Sequence, residues 1–261
     1  MIPRSRAIAR WTVPAIFAVA AASTGAHAVG SISDAMTQPS ARAWLVVLYG
    51  VLRTGVALTF AVVTVGRAAP QHPSRNPLAF GACALAIAAV VAFAGPSTST
   101  PQGLVLAGDL VAVAFCVWLL VSVLFLGRNF GVLPEARGLV TRGPYRLVRH
   151  PVYLGEIGAC AGLALGAPSV YNAAVLAVLI FAQMARMRWE ERALALAFPE
   201  YAGYAQRTPR LIPRAPSLRT ARARADVRVR ARTADGVVLA DAALPGAAHR
   251  ARHARTALRS R

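Results

Sequence analysis

Two stretches of this 261-residue chain hold side chains suited to chemistry. The first runs from Arg137 to Glu156 and reads Arg-Gly-Leu-Val-Thr-Arg-Gly-Pro-Tyr-Arg-Leu-Val-Arg-His-Pro-Val-Tyr-Leu-Gly-Glu. Pro151 suits the first turn of a helix, where its missing N–H leaves nothing unpaired. His150 then stands beside unsatisfied N–H donors at a positive helix end, a natural place to hold a carboxylate or phosphate. An interfacial loop with phosphate-binding Arg and a Tyr belt explains part of this stretch. It does not explain His150-Pro151 at a helix mouth, followed by Tyr153, Gly155 and Glu156. The second stretch is Arg186-Met-Arg-Trp-Glu-Glu191, followed by Phe198-Pro-Glu-Tyr201 and Tyr204. Arg186 and Glu190 are four residues apart, so they share a helix face and stand close enough to form an ion pair in an empty site. Glu190 and Glu191 diverge by about 100° around the helix, so only one of them points squarely into a pocket.

The elements that must position these residues are apolar. The chain is 56% hydrophobic and 15% charged, with a mean hydropathy of +0.50. A soluble domain is about 45–50% apolar with glycine included and about 25% charged. A soluble globular enzyme and a disordered main body are both excluded. Six apolar blocks stand at about residues 12–30, 44–66, 77–95, 104–126, 151–167 and 170–186. In lipid such blocks must be helices, because their backbone groups find no partner elsewhere. The fold class is therefore all-α, a polytopic transmembrane helical bundle of about six spans. Ala167-Pro168-Ser169 joins the last two spans as a tight hairpin, and Gly158, Gly162 and Gly166 form a small-residue ridge for close helix packing.

The positive charge behind the net +19 is carried entirely by Arg, most of which lies in short segments between the blocks and in the C-terminal tail. That distribution calls for no nucleic-acid partner. Arg4, Arg6 and Arg10 precede the first block, and only Arg42 follows it. Arg67 and Arg75 lie in the second loop and none in the third. The fourth holds Arg128, Arg137, Arg142, Arg146 and Arg149, the fifth holds none, and the C-terminal segment is Arg-dense. This alternation puts both termini in the cytoplasm, with the plasma (inner) membrane as the expected location. Met1–Ser23 also fits a signal peptide ending at Ala26-His27-Ala28, which would leave five spans. We read an uncleaved helix, because the apolar run continues to Gly30. Residues 1–103 are expected to be N-terminal spans, 104–214 the chemical core and 215–261 an Arg-rich disordered tail. Of the ionisable residues inside spans, Arg53 and Asp109 are expected to pair with each other or to leave Asp109 at the outer interface, whereas Glu156 lies beside the polar cluster. Cys83, Cys116 and Cys160 stand singly, with no spacing for a metal site or a disulfide framework.

Gly-Leu-Val-Thr-Arg-Gly-Pro-Tyr-Arg-Leu-Val-Arg-His-Pro-Val-Tyr-Leu-Gly, followed by Arg-x-x-x-Glu-Glu and a Glu-Tyr pair, resembles the isoprenylcysteine carboxyl methyltransferases and related membrane phospholipid methyltransferases. The resemblance covers residues 104–213 well and residues 44–103 only as hydrophobic pattern. It implies a membrane enzyme that transfers methyl from S-adenosylmethionine to a lipid-like or membrane-anchored acceptor, by carboxyl O-methylation if Arg186 holds an acceptor carboxylate. It further implies that Arg137, Gly138, Leu139, Val140, Tyr145, His150, Pro151, Val152 and Tyr153 surround the cofactor. Glu190 would meet it from the C-terminal helix. Tyr-Leu-Gly-Glu156 is also met in NADPH-dependent sterol and steroid reductases, which makes a reductase the enzymatic alternative. A transporter or channel subunit is the non-enzymatic one, opposed by the gathering of polar residues at one membrane face instead of the midplane.

Overall fold

Helix starts are set by local chemistry that the chain repeats. Ser40 caps α2 (Ala41–Val65) by accepting from the Ala43 N–H at 3.1 Å, and Asn76 caps α3 (Pro77–Val91) by accepting from Leu78 at 3.0 Å. Proline opens both α3 and α5 (Pro151–Gly166), and Ser169 caps α6 (Val170–Ala197) through the Asn172 N–H at 3.1 Å. The remaining helices are α1 (Arg4–Thr37), α4 (Gln102–Leu126) and a short α7 (Tyr201–Arg207). This computed structural model describes residues 4–71 and 76–213, with backbone only for residues 4–10. Arg75 and the tail expected from residue 215 lie outside the described residues.

Four helical stretches are long and apolar enough to cross a bilayer: Trp11–Thr37, Ala41–Val65, Gln102–Asn129 and Val170–Ala197. The chain is an integral membrane protein, and the described residues are helical without strands. The expected six spans resolve into these four and two shorter apolar helices. At 1.5 Å per residue, α3 and α5 extend only about 22–24 Å, less than the roughly 30 Å hydrocarbon core. α1 runs without a break through Ala26-His27-Ala28 and packs closely on α2, where a Cβ on Gly50 would meet Ala28 Cβ at 3.1 Å. Phe80, Leu110, Phe181 and other large apolar side chains stay on the outside, as a lipid-facing surface requires.

The glycine ridge brings α4 and α5 together nearly backbone to backbone. A Cβ on Gly162 would lie 2.5 Å from the Ala112 nitrogen, and one on Gly155 would lie 2.7 Å from Leu119 Cβ. Antiparallel α6 stands farther from α5, which leaves room for side chains between them. Asn172 ties this hairpin to the end of α3: its side chain donates to the Ala167 carbonyl at 2.7 Å and the Ala94 carbonyl at 3.1 Å, and accepts from the Ala94 N–H at 3.0 Å. Asp109 is taken by Arg42 at 3.4 Å. The expected Arg53–Asp109 pair does not form, because Arg42 reaches the carboxylate from the first turn of α2.

Candidate active site

Three layers of contact between α5 and α6 build the site. At the helix mouth, His150 Nε2 donates to Glu191 Oε1 at 3.1 Å. One turn in, the Tyr153 hydroxyl donates to Glu190 Oε2 at 2.7 Å. A further turn in, the Gln183 amide donates to Glu156. Glu190 and Glu191 diverge as helix geometry demands: Glu190 lines the cavity, while Glu191 turns to a clamp outside it. That clamp comprises Arg149 at 3.2 Å, His150, and Arg210, whose Nε donates to Glu191 Oε1 at 3.0 Å.

The segment after α6 locks the loop before α5. Arg149 and His150 donate their N–H groups to the carbonyls of Pro209 and Arg210 at 2.8 and 3.2 Å. The Tyr204 hydroxyl donates to the Tyr145 carbonyl at 2.7 Å. Burial pushes the Tyr204 phenol up to about 12, so it remains a proton donor. Gly143, at φ +59°, starts the 3-10 turn Gly143–Arg146, a backbone conformation that a side chain would strain. On the other side, loop 127–137 is clasped to the end of α2: Ala68 N–H donates to Arg128 O at 2.9 Å, and Gln71 N–H to Ala136 O at 2.8 Å.

These pieces line a cavity between α5, α6 and loop 127–137. Tyr145, His150, Pro151, Val152, Tyr153, Arg186 and Glu190 all line it. Arg137, Gly138, Leu139 and Val140 do not; Arg137 donates instead to the Ala68 carbonyl and to Glu135 at 2.5 Å, so it braces the wall from behind. The wall that sequence reasoning missed is Asn129–Leu133 with Glu135, joined by Phe60 of α2. Phe60 and Phe130 stack with centroids 4.5 Å apart. No periodicity marks this wall, and its one advance signal was the run of polar and glycine residues after the fourth block.

Arg186 does not pair with Glu190, contrary to the spacing argument. Its guanidinium donates to Gln183 Oε1 at 2.8 Å and to the Val132 carbonyl at 2.9 Å, and lies 5.0 Å from the Tyr153 ring centroid. Tyr153 takes Glu190 and thereby separates the two. Arg186 is 8% exposed, and its Nε has no partner, a rare condition for a buried donor. Glu156 and Glu190 outnumber Arg186 in the cavity, because Glu135 is neutralised by Arg137. A second, mostly apolar cavity of about 970 Å³ adjoins the first and shares Phe17, Phe60, Ile87, Glu156 and Arg186 with it.

Residues 100–200 match the phospholipid methyltransferase family model. Over 78 residues the chain is 51% identical to the cobalt-zinc-cadmium resistance protein CzcN of Cupriavidus metallidurans. It is 45% identical over 78 residues to the nickel-cobalt-cadmium resistance protein NccN of Alcaligenes xylosoxydans xylosoxydans. Each match covers 29% of this chain and 36% of the relative.

Proposed function

We propose that residues 100–200, a segment of the phospholipid methyltransferase family, bind S-adenosylmethionine in the cavity between α5, α6 and loop 127–137, and pass its methyl to a membrane-embedded acceptor. The observation that supports this most is the charge and donor balance of the cavity. One surplus carboxylate suits a net-cationic ligand, and the orphaned Arg186 Nε offers a buried donor to a ligand oxygen. Glu190, held by Tyr153, is placed to take the cofactor's ammonium, and the first turn of α5 offers the N–H groups of Val152 and Tyr153 for its carboxylate. Phe130, Tyr145 and Tyr153 supply walls for a purine.

The bound cofactor supplies a methyl group already activated on a sulfonium. The chain's task is then to bind, align and exclude water. Arg186 and Glu156 stand where the two cavities meet, so an acceptor lying in the apolar cavity presents its head to the cofactor pocket there. Arg186 binds that head when it is anionic, which makes carboxyl O-methylation the reaction this geometry favours. Both termini face the cytoplasm in this reading, with the site at the cytoplasmic end of the bundle.

The test is transfer itself. Purified protein in detergent is incubated with methyl-labelled S-adenosylmethionine and a lipid extract of its source membrane, and label is followed into the organic phase. Label that turns over and is released by mild base as methanol supports O-methylation. Absence of transfer from a protein shown to bind the cofactor overturns the methyl-transfer reading.

A further inference from the structure

Arg53 stands at the midpoint of α2, twelve residues from either end of a 25-residue span. That puts its Cα close to the bilayer midplane, about 15 Å from either edge of the hydrocarbon core. A stem of three methylenes does not carry a guanidinium over that distance to the interface. An intramembrane charge normally faces the bundle and has a partner. Arg53 has neither hydrogen bond nor ion pair among the described residues; its one contact of note is the Tyr49 ring, 5.6 Å from the guanidinium carbon. Asp109, which lines a neighbouring cavity with Arg53 and Tyr49, is committed to Arg42.

The side chain is exposed, and it opens into the apolar cavity of about 970 Å³. All six long helices contribute to that cavity, and apart from Thr24 and two cysteines its polar side chains fall into two groups. Arg53 and Tyr49 mark one; Glu156, Gln183 and Arg186 mark the other, at the cofactor pocket. Val56, Ala57, Ile87, Val90 and Leu119 lie among its apolar walls. Along α2, Arg53 is seven residues from Phe60, which lines both cavities, a separation of about 10 Å. α3 packs on α6 and has at most marginal contact with α1 or α2, so the cavity can open to lipid on that side.

We propose that Arg53 is the anion anchor of an acceptor chamber, and that its ligand is a single-chain acidic amphiphile. Its carboxylate or phosphate sits on Arg53, and its reactive head lies beside Glu156 and Arg186, where the chamber meets the cofactor pocket. A guanidinium in an apolar chamber, without an anionic or hydrogen-bonding protein partner among the described residues, is satisfied by an anion that brings its own apolar body. Two-chain phospholipids, which keep their phosphate at the interface, do not meet this requirement. The identification of the ligand as acceptor rests on the methyl-transfer reading; the binding at Arg53 does not.

Two probes of equal length separate the possibilities: 10-hydroxydecanoate, which carries the acid, and 1,10-decanediol, which does not. Binding to the full chain in a non-ionic detergent is read by thermal shift and by calorimetric titration. The acid is expected to bind wild type at least roughly tenfold more tightly than the diol, as a charge-assisted contact requires. Arg53→Leu should erase that preference and Arg53→Lys should keep part of it. Decyl phosphate tests the phosphate arm against the carboxylate. Cofactor affinity serves as the folding control for Arg53→Leu, because Arg53 does not line the cofactor pocket. Equal binding of acid and diol by wild type overturns the proposal even if the Leu variant does not fold. Unchanged acid preference in a folded Arg53→Leu protein overturns it as well. Acid binding with no S-adenosylmethionine binding would sink the cofactor reading and leave the anchor standing.

Discussion

Glu190→Gln removes one charge and almost nothing else, which makes it the sharpest perturbation of the site. The Tyr153 hydroxyl donates to Glu190 at 2.7 Å, and the glutamine carbonyl oxygen can accept the same bond. The fold should therefore hold, with a stability change of no more than about 1 kcal/mol. Cofactor binding should suffer more. A charge-assisted hydrogen bond to the cofactor's ammonium contributes about 1.5–3 kcal/mol. At about 1.4 kcal/mol per decade, the dissociation constant should rise roughly 10- to 150-fold. Tyr153→Phe leaves the charge but frees the carboxylate to rotate, an indirect loss of about 0.5–1.5 kcal/mol and so roughly 2- to 10-fold. In the proposed site Tyr153 would act on the ammonium through Glu190, so the double variant should lose less than the two single losses combined. Calorimetric titration of the three variants with S-adenosylmethionine, beside thermal melts, measures all of this. Wild-type affinity in Glu190→Gln would refute the assignment of Glu190, and full additivity would refute the dependence of Tyr153 on it.

Three other outcomes are expected. Glu191→Ala leaves Arg149 and His150 without their shared carboxylate and frees Arg210, so it should destabilise the protein by about 3 kcal/mol; chemical unfolding in micelles reads this, and a change below about 0.5 kcal/mol would show the clamp to be idle. Gly162→Val should force α4 from α5 and lower the melting temperature by several degrees, whereas Ala159→Gly, a neighbour without that close approach, should cost about 1 kcal/mol. Single cysteines at Ser99 and Arg142, in a background without the three native thiols, should label from opposite faces of the membrane in intact cells; labelling of both by one impermeant reagent from outside would contradict the orientation.

Legibility in the sequence followed the range of the interaction. The helix starts at Pro77, Pro151 and Ser169 are local events, and proline and cap chemistry marks each. The end of α6 was less legible: hydropathy falls at Arg186, yet the helix continues to Ala197, because Arg186 to Glu191 is amphipathic and faces the site on one side. Spacing put Arg186 and Glu190 on one face but could not choose their partners. Tyr153, arriving from α5, takes Glu190, while Gln183 and the Val132 carbonyl take Arg186. Asp109 behaves likewise, since Arg42 wins it from Arg53 through tertiary position alone. The Asn129–Leu133 wall has no periodicity and draws its shape from contacts to α2 and α6, so nothing local announces it.

The central claim is that the cavity between α5, α6 and loop 127–137 is built for S-adenosylmethionine. Titrating the purified full chain with S-adenosylmethionine and, separately, with NADPH tests it most directly, because both calorimetric heat and thermal protection report binding to the native state. The account predicts saturable one-to-one binding of S-adenosylmethionine, a raised melting temperature and no response to NADPH. Protection by NADPH with none by S-adenosylmethionine would contradict it.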